Sequence, residues 1–314
     1  MARAFNRTDG DVTGALQACL GEGPGVVLLG PGTYVCSGLR IPGNVTLAGE
    51  GAATVLKLGK GSTLVEQDSA CGWGLRDLVV EGSASGDWKN RTDAGQAGIA
   101  VGKCWGYEIL GVVVRHFDGS GVRIRHTALA PDKAPYCNGG NLDRITIHDC
   151  HTGLCFGERG EYLNAVGISA YQNVTGVVIH AGNVKLAASN ICSNLDGVFI
   201  EDQENGSHGA LANCLVNHNG RHALWCRNVK NGMTIQNTCF FYGDIAIEES
   251  QGVVISGGEI CCNMFVRGGG LNRIAGNYVI PYVGICEKFE LAPKTMLDGN
   301  FSSTGAWPEG QPGK

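Results

Sequence analysis

A four-residue kernel recurs through most of the chain and constrains its fold more than any other feature. A small or polar turn residue is followed by apolar–any–apolar, then a polar or charged exit. It reads Gly98-Ile-Ala-Val, Gly121-Val-Arg-Ile, Gly153-Leu-Cys-Phe, Gly176-Val-Val-Ile and Gly197-Val-Phe-Ile. Looser copies stand at His222-Ala-Leu-Trp, Asp244-Ile-Ala-Ile, Asn263-Met-Phe-Val and Gly284-Ile-Cys-Glu. Self-similarity at a period of about 22 residues is the mark of a solenoid. The kernel alternates over four residues and is rich in β-branched side chains, so each copy is a strand and not a helical arm. Two further short alternating runs fall between kernels, such as Ile145-Thr-Ile before one and Val184-Lys-Leu after another. Three strands per coil of about 22 residues is the arithmetic of a parallel β-helix, stacked at roughly 4.8 Å per rung. Asn173, Asn194 and Asn219 precede kernels, where asparagine tolerates left-handed geometry and can bond along a stack. A leucine-rich repeat would need a fixed Leu/Asn consensus and a helical arm, and neither is present.

The organisation expected is an N-terminal arm and capping helix over 1–25, a parallel β-helix over 26–290 and an extended tail over 291–314. Asp11 is a candidate N-cap, with Val12, Ala15, Leu16 and Cys19 on one helical face. The tail is rich in Pro and Gly, with Trp307 as its anchor. Two insertions, Ser83–Ala97 and Thr127–Asn141, flank kernels and would be either the walls of a binding face or tolerated surface loops.

The 314 residues include 50 glycines, as a fold made of tight turns requires. The net charge of −5 offers no attraction to nucleic acid or to an anionic membrane. Fourteen cysteines occupy strand and turn positions, and no C-x-x-C occurs. They read as small stacking residues, with no structural zinc and no cofactor expected. The first ten residues lack the apolar core of a secretory signal, so maturation in a reducing cytoplasm is expected.

The opening resembles the entry module of the pectate-lyase-like right-handed β-helix superfamily, in particular its bacteriophage tailspike branch. The resemblance is carried by Asp11-Val-Thr-Gly-Ala-Leu-Gln-Ala-Cys-Leu, Val26-Val-Leu-Leu-Gly-Pro-Gly-Thr-Tyr-Val and Leu39-Arg-Ile-Pro-Gly-Asn-Val-Thr-Leu-Ala-Gly-Glu-Gly. It implies an all-β, right-handed solenoid and leaves the activity open, because the superfamily holds hydrolases, lyases, epimerases and inert binders. The Asn-Thr-Asp, Asp-Asp, Gly-His-Gly and Arg-Ile-Lys motifs of polygalacturonases are absent, as are an epimerase Asp-Pro-His-Asp and a lyase Arg-x-Pro-x-x-Arg. Site residues must therefore come from coil register.

In that register the first and third residues after the turn point inward and the second and fourth outward. The fourth-position ladder reads Arg125, Gly157, His180, Glu201, Cys226, Glu248, Arg267, Lys288. The next position adds His126, Glu158, Asp202, Arg227 and Glu249. Its acidic centre makes Glu201 and Glu248 the candidate acid/base pair, with Asp202 and Glu249 beside them. Two rungs separate the pair, roughly 9–10 Å, near the 6.5–9.5 Å that inverting glycosidases use. His180, Arg227 and Arg267 flank them as substrate contacts, and Trp88 and Tyr136 are candidates to stack on sugars. An ion-pair ladder Glu201–Arg227–Glu248–Arg267 is the structural alternative. The second-position ladder reads Arg123, Cys155, Val178, Phe199, Leu224, Ala246, Phe265, Cys286. An apolar stripe of this kind on an outer face suggests the seam of a trimer, or a surface covered by the chain's own tail or insertions.

The function expected is a virion spike or fibre subunit, homotrimeric and assembled in the host cytoplasm with other virion proteins. It would bind host surface polysaccharide and depolymerise it. The competing readings are a cellular polysaccharide lyase or hydrolase of the same fold, and a structural or adhesive β-helix without chemistry.

Overall fold

The alternating runs form 36 strands and the chain holds one α-helix among the described residues. The structure is a computed structural model describing residues 2–5, 10–68, 70–125, 137–203, 206–303 and 305–307. One sheet of 13 strands takes the runs that follow the kernels, in strictly sequential order and parallel throughout. The runs before the corner and the kernels themselves build the other two faces. Each strand pairs with its equivalents one coil before and after, as Thr175–Ile179 does with Thr152–Phe156 and Asp196–Ile200. The chain is thus a parallel β-helix of about 12 turns.

The interior is a set of aliphatic columns. Ile99, Val122, Leu154, Val177 and Val198 succeed one another down the kernel sheet, all at 0% exposure. The corner before the kernel is tight because one residue per coil is left-handed: Gln172 (φ 54°), Ser193 (φ 56°) and His218 (φ 50°). The asparagine follows that residue and points inward. Its role is the stack: Asn194 Oδ1 accepts from Asn173 N at 3.0 Å and from Asn173 Nδ2 at 3.1 Å, and Asn219 Oδ1 does the same for Asn194. These bonds satisfy backbone groups that the corner would leave buried and unpaired.

The helix Thr13–Leu20 has Val12 and not Asp11 at its N-cap; Asp11 stands one residue further out, where its Oδ1 accepts from Thr13 N at 2.8 Å. Its core face is Val12, Leu16 and Leu20, with Cys19 half-buried; Ala15 is exposed. The rungs continue past residue 290: Thr295–Asp298 pairs with Asn272–Ala275, and Phe301–Ser302 with Tyr278–Val279. All fourteen cysteines are free, and burial is the first cause of the raised thiol pKa at Cys36, Cys137, Cys150 and Cys226, each about 12. Among the described residues no helix is long and apolar enough to cross a membrane.

Candidate functional site

The outer face of the kernel sheet gathers most of the chemistry, and strand register decides which residues stand there. Val198 and Ile200 point inward at 0% exposure, leaving Phe199 and Glu201 outside. The following coil departs from the expected register by one residue. Phe199 pairs with Trp225, Ile200 with Cys226 and Glu201 with Arg227. Leu224 and Cys226 are therefore core residues, both at 0% exposure, and Arg227 takes the fourth position. The run Ala-Leu-Trp-Cys allows either register, and a one-residue slip exchanges the faces. The observed one keeps the large indole outside, where its N–H finds a partner: Trp225 Nε1 donates to Glu248 Oε2 at 2.9 Å.

The last expected kernel is also displaced. Tyr282–Cys286 is a turn in which Ile285 N and Cys286 N both donate to Tyr282 O. The strand that continues the sheet is Phe289–Leu291, placing Glu290 beside Phe265. Cys286 and Lys288 leave the ladder. In the observed register the second position reads Glu66, Ala100, Arg123, Cys155, Val178, Phe199, Trp225, Ala246, Phe265, Glu290.

The centre of this face is a ring platform bounded by charges. Phe199 and Trp225 lie 4.7 Å apart, tilted by 40°. His180 meets Phe199 edge-on at 5.8 Å, and His222 stacks on Trp225 at 4.9 Å. His222 is held by Asp196, whose Oδ1 is 2.8 Å from Nδ1. Burial is the first cause that lowers the His180 pKa, against smaller raising contributions from Gln203 and Glu201. The Arg227 guanidinium lies 5.2 Å from the Phe199 ring and 5.0 Å from that of Trp225, while its Nε donates to Glu201 Oε1 at 2.7 Å. Arg267 lies 4.8 Å over Phe265 and reaches Glu248 at 3.8 Å and Glu290 at 3.1 Å.

The sequence candidates are thus partly assembled. Glu201, Arg227, Glu248 and Arg267 succeed one another on consecutive rungs. Asp202 accepts from Ser207 N at 2.6 Å through Oδ1 and from Lys230 N at 2.8 Å through Oδ2, so both oxygens organise the adjoining turn. Glu249 is exposed on a left-handed corner (φ 46°). Trp88 sits in the first insertion on a short 3-10 turn, Trp88–Asn90, half-exposed with Lys89 5.6 Å over its ring. Tyr136 and His126 lie outside the described residues. Trp225, His222 and Asp196 were not among the expected site residues. A Trp at the third kernel position, where most other copies place Val, Ile or Phe in the core, was the available signal for the shifted register. Among the described residues no group of three or more His, Cys, Asp or Glu converges to hold a metal ion.

Stacked parallel strands, three per coil, define a class by architecture, the parallel β-helix. Solved structures place the chain within that architecture. The A-module of an Azotobacter vinelandii mannuronan C-5 epimerase superposes with a TM-score of 0.68 at 19% identity, covering 93% of this chain and 91% of that one. A tailspike from Acinetobacter baumannii bacteriophage Fri1, a capsular polysaccharide depolymerase, gives 0.63 at 15% identity over 98% of this chain and 62% of that one. The catalytic unit of an α-1,3-glucanase from Streptomyces thermodiastaticus gives 0.65 at 14% identity, over 96% and 68%. At these identities the likeness is one of fold. No family model matches the chain, and no curated protein matches it in sequence.

Proposed function

We propose that the chain is a virion spike or fibre subunit that binds host cell-surface polysaccharide along the outer kernel face. The observation that carries this is the Phe199–Trp225 platform with Glu201, Arg227 and Glu248 at its edge. Sugar rings present apolar C–H faces for stacking and hydroxyls for charged partners, and this surface offers both. Its length suits a linear chain, since every rung of roughly 4.8 Å repeats the same two outward positions. The fold is shared with a phage tailspike that depolymerises capsule, which supports the virion reading. That reading carries a homotrimer in contact with other virion proteins, with its seam on a surface other than the Phe199–Trp225 platform that takes the glycan.

Bond cleavage, in this reading, falls to Glu201 and Glu248, two rungs apart with Arg227 between them. A second reading, an adhesin without chemistry, is favoured by the engagement of both carboxylates in the ladder. Incubating the protein with purified bacterial capsule and lipopolysaccharide separates the two. Binding with release of oligosaccharides supports the depolymerase, binding without release supports the adhesin, and no binding contradicts both.

A further inference from the structure

Three rungs from Phe199 toward the N-terminal end, the kernel face changes character. Arg123 pairs on one side with Ala100 and on the other with Cys155, and Arg125 lies next to Gly102 and Gly157 in the same way. Arg123 lies in the strand Val113–Ile124 and Arg125 directly follows its end in the same register, so the two arginines project from the same face about 7 Å apart. Because their neighbours on both rungs are small, the guanidiniums border an open recess. The cavity has a volume of about 260 Å³, with Glu66, Asp68 and Thr63 on its far wall.

Charge pairing sets these two arginines apart from the others on the face. Arg227 bonds Glu201, and Arg267 reaches Glu248 and Glu290. Glu66, two rungs from Arg123, is taken by Arg40 at 3.5 Å. Arg123 and Arg125 make no ion pair among the described residues, although they lie in a molecule of net charge −5. Guanidinium forks match the two oxygens of a carboxylate or phosphate, and here a half-buried Arg123 stands beside an exposed Arg125. The recess lies on the same face as the platform: three rungs, roughly 14 Å, separate Arg123 from Phe199.

We infer that the Arg123–Arg125 recess is a subsite for an oxyanion-bearing sugar, and hence that the glycan taken by the kernel face is acidic. The oxyanion of one sugar sits in the guanidinium fork while neutral rings further along the chain stack on Phe199 and Trp225. This inference rests on the proposed polysaccharide binding and narrows its substrate class.

The test is binding to immobilised bacterial capsular polysaccharides and lipopolysaccharides in three groups, uronate-bearing, phosphate-bearing and neutral, with the carboxyl-reduced form of each uronate glycan included. The wild-type protein should prefer an acidic group. If the oxyanion is a carboxylate, carboxyl reduction should weaken binding by about tenfold or more; if it is a phosphate, the phosphate-bearing group alone should be retained. Arg123→Gln/Arg125→Gln should lose the same factor at an unchanged melting temperature, and Ala100→Glu, which fills the recess with a carboxylate, should do likewise. Neutral glycans bound as tightly as acidic ones, or acidic binding that survives in both variants, overturns the subsite and leaves polysaccharide binding standing. Absence of binding to all three groups contradicts the proposed function itself.

Discussion

Arg227 Nε donates to Glu201 Oε1 across one rung at 2.7 Å, and the same guanidinium lies over the rings of Phe199 and Trp225. Glu248, on Arg227's other side, turns instead to the indole N–H of Trp225 at 2.9 Å. The two carboxylates are thereby held in different company: Glu201 takes a direct hydrogen bond from a cation, while Glu248 takes its hydrogen bond from a neutral donor with Arg267 standing off at 3.8 Å. This asymmetry distinguishes the face from a plain ladder of repeating ion pairs. Rings, cation and acids stand together because the chain pairs Phe199 with Trp225 and so lifts Arg227 to the outer position.

Register therefore predicts opposite outcomes for adjacent residues. Leu224→Ala should destabilise the protein by about 2–5 kcal/mol, since Leu224 is fully buried. Phe199→Ala, on the half-buried outer face, should cost no more than about 1 kcal/mol. Denaturant midpoints of the two variants decide it; equal losses would return Leu224 to the surface.

The asparagine stack predicts a larger effect than a corner residue ordinarily has. Asn194→Ala removes the acceptor of Asn173 N and the donor to Ala170 O and Cys192 O. Leaving such groups buried without partners should cost about 1–3 kcal/mol. Serine would restore only part of it, because its hydroxyl cannot serve both neighbours. A stability loss under 0.5 kcal/mol (an order-of-magnitude bound for surface changes) would mean that the stack contributes nothing.

The acid pair is tested by shape-preserving substitution. In an oligosaccharide-release assay Glu201→Gln and Glu248→Gln should each lower the rate by about 10²–10⁴ while binding persists. Full activity in both would move the chemistry elsewhere. Asp202→Asn should chiefly affect stability, because both of its oxygens hold backbone N–H groups of the adjoining turn.

Thiol burial fixes the alkaline limb of stability. Cys36, Cys137, Cys150 and Cys226 are raised to about 12 from 9.0, and Cys155 and Cys286 to about 11, in each case mainly by burial. Above pH 9 the unfolded chain loses thiol protons that the folded chain keeps, so stability is complete below that pH and declines as pH rises toward 11–12. On the acid side His116, His151 and His180 are lowered from 6.5 by burial, so their contribution is present above that value and is lost as pH falls below it. Denaturant midpoints measured from pH 5 to 11 should form a plateau near pH 7–9. A midpoint still rising at pH 10 would contradict the buried thiols.

The fold was legible in the chain because a β-helix writes its core as a period. The aliphatic columns, the asparagine stack and the inward places of Val198 and Ile200 all follow from it. What the period could not fix was phase. Ala223-Leu224-Trp225-Cys226 satisfies apolar alternation in two registers, and only cross-rung partners choose between them: His222 with Asp196, Trp225 with Glu248. Arg227 was named as a substrate contact, yet its place between Glu201 and Glu248 emerged only with the pairing. The paired state of Asp202 was likewise hidden, because its partners are backbone N–H groups five and 28 residues away.

The central claim is that the kernel face holds polysaccharide on its ring platform. It is tested most directly by calorimetric titration of the wild-type protein and of Phe199→Ala/Trp225→Ala with fragments of a bound capsular polysaccharide. Loss of the two half-buried stacking surfaces should weaken affinity by at least about tenfold, with a retained cooperative melting transition showing that the fold persists. Equal affinity of the two proteins would contradict the account and place the glycan on another face of the solenoid.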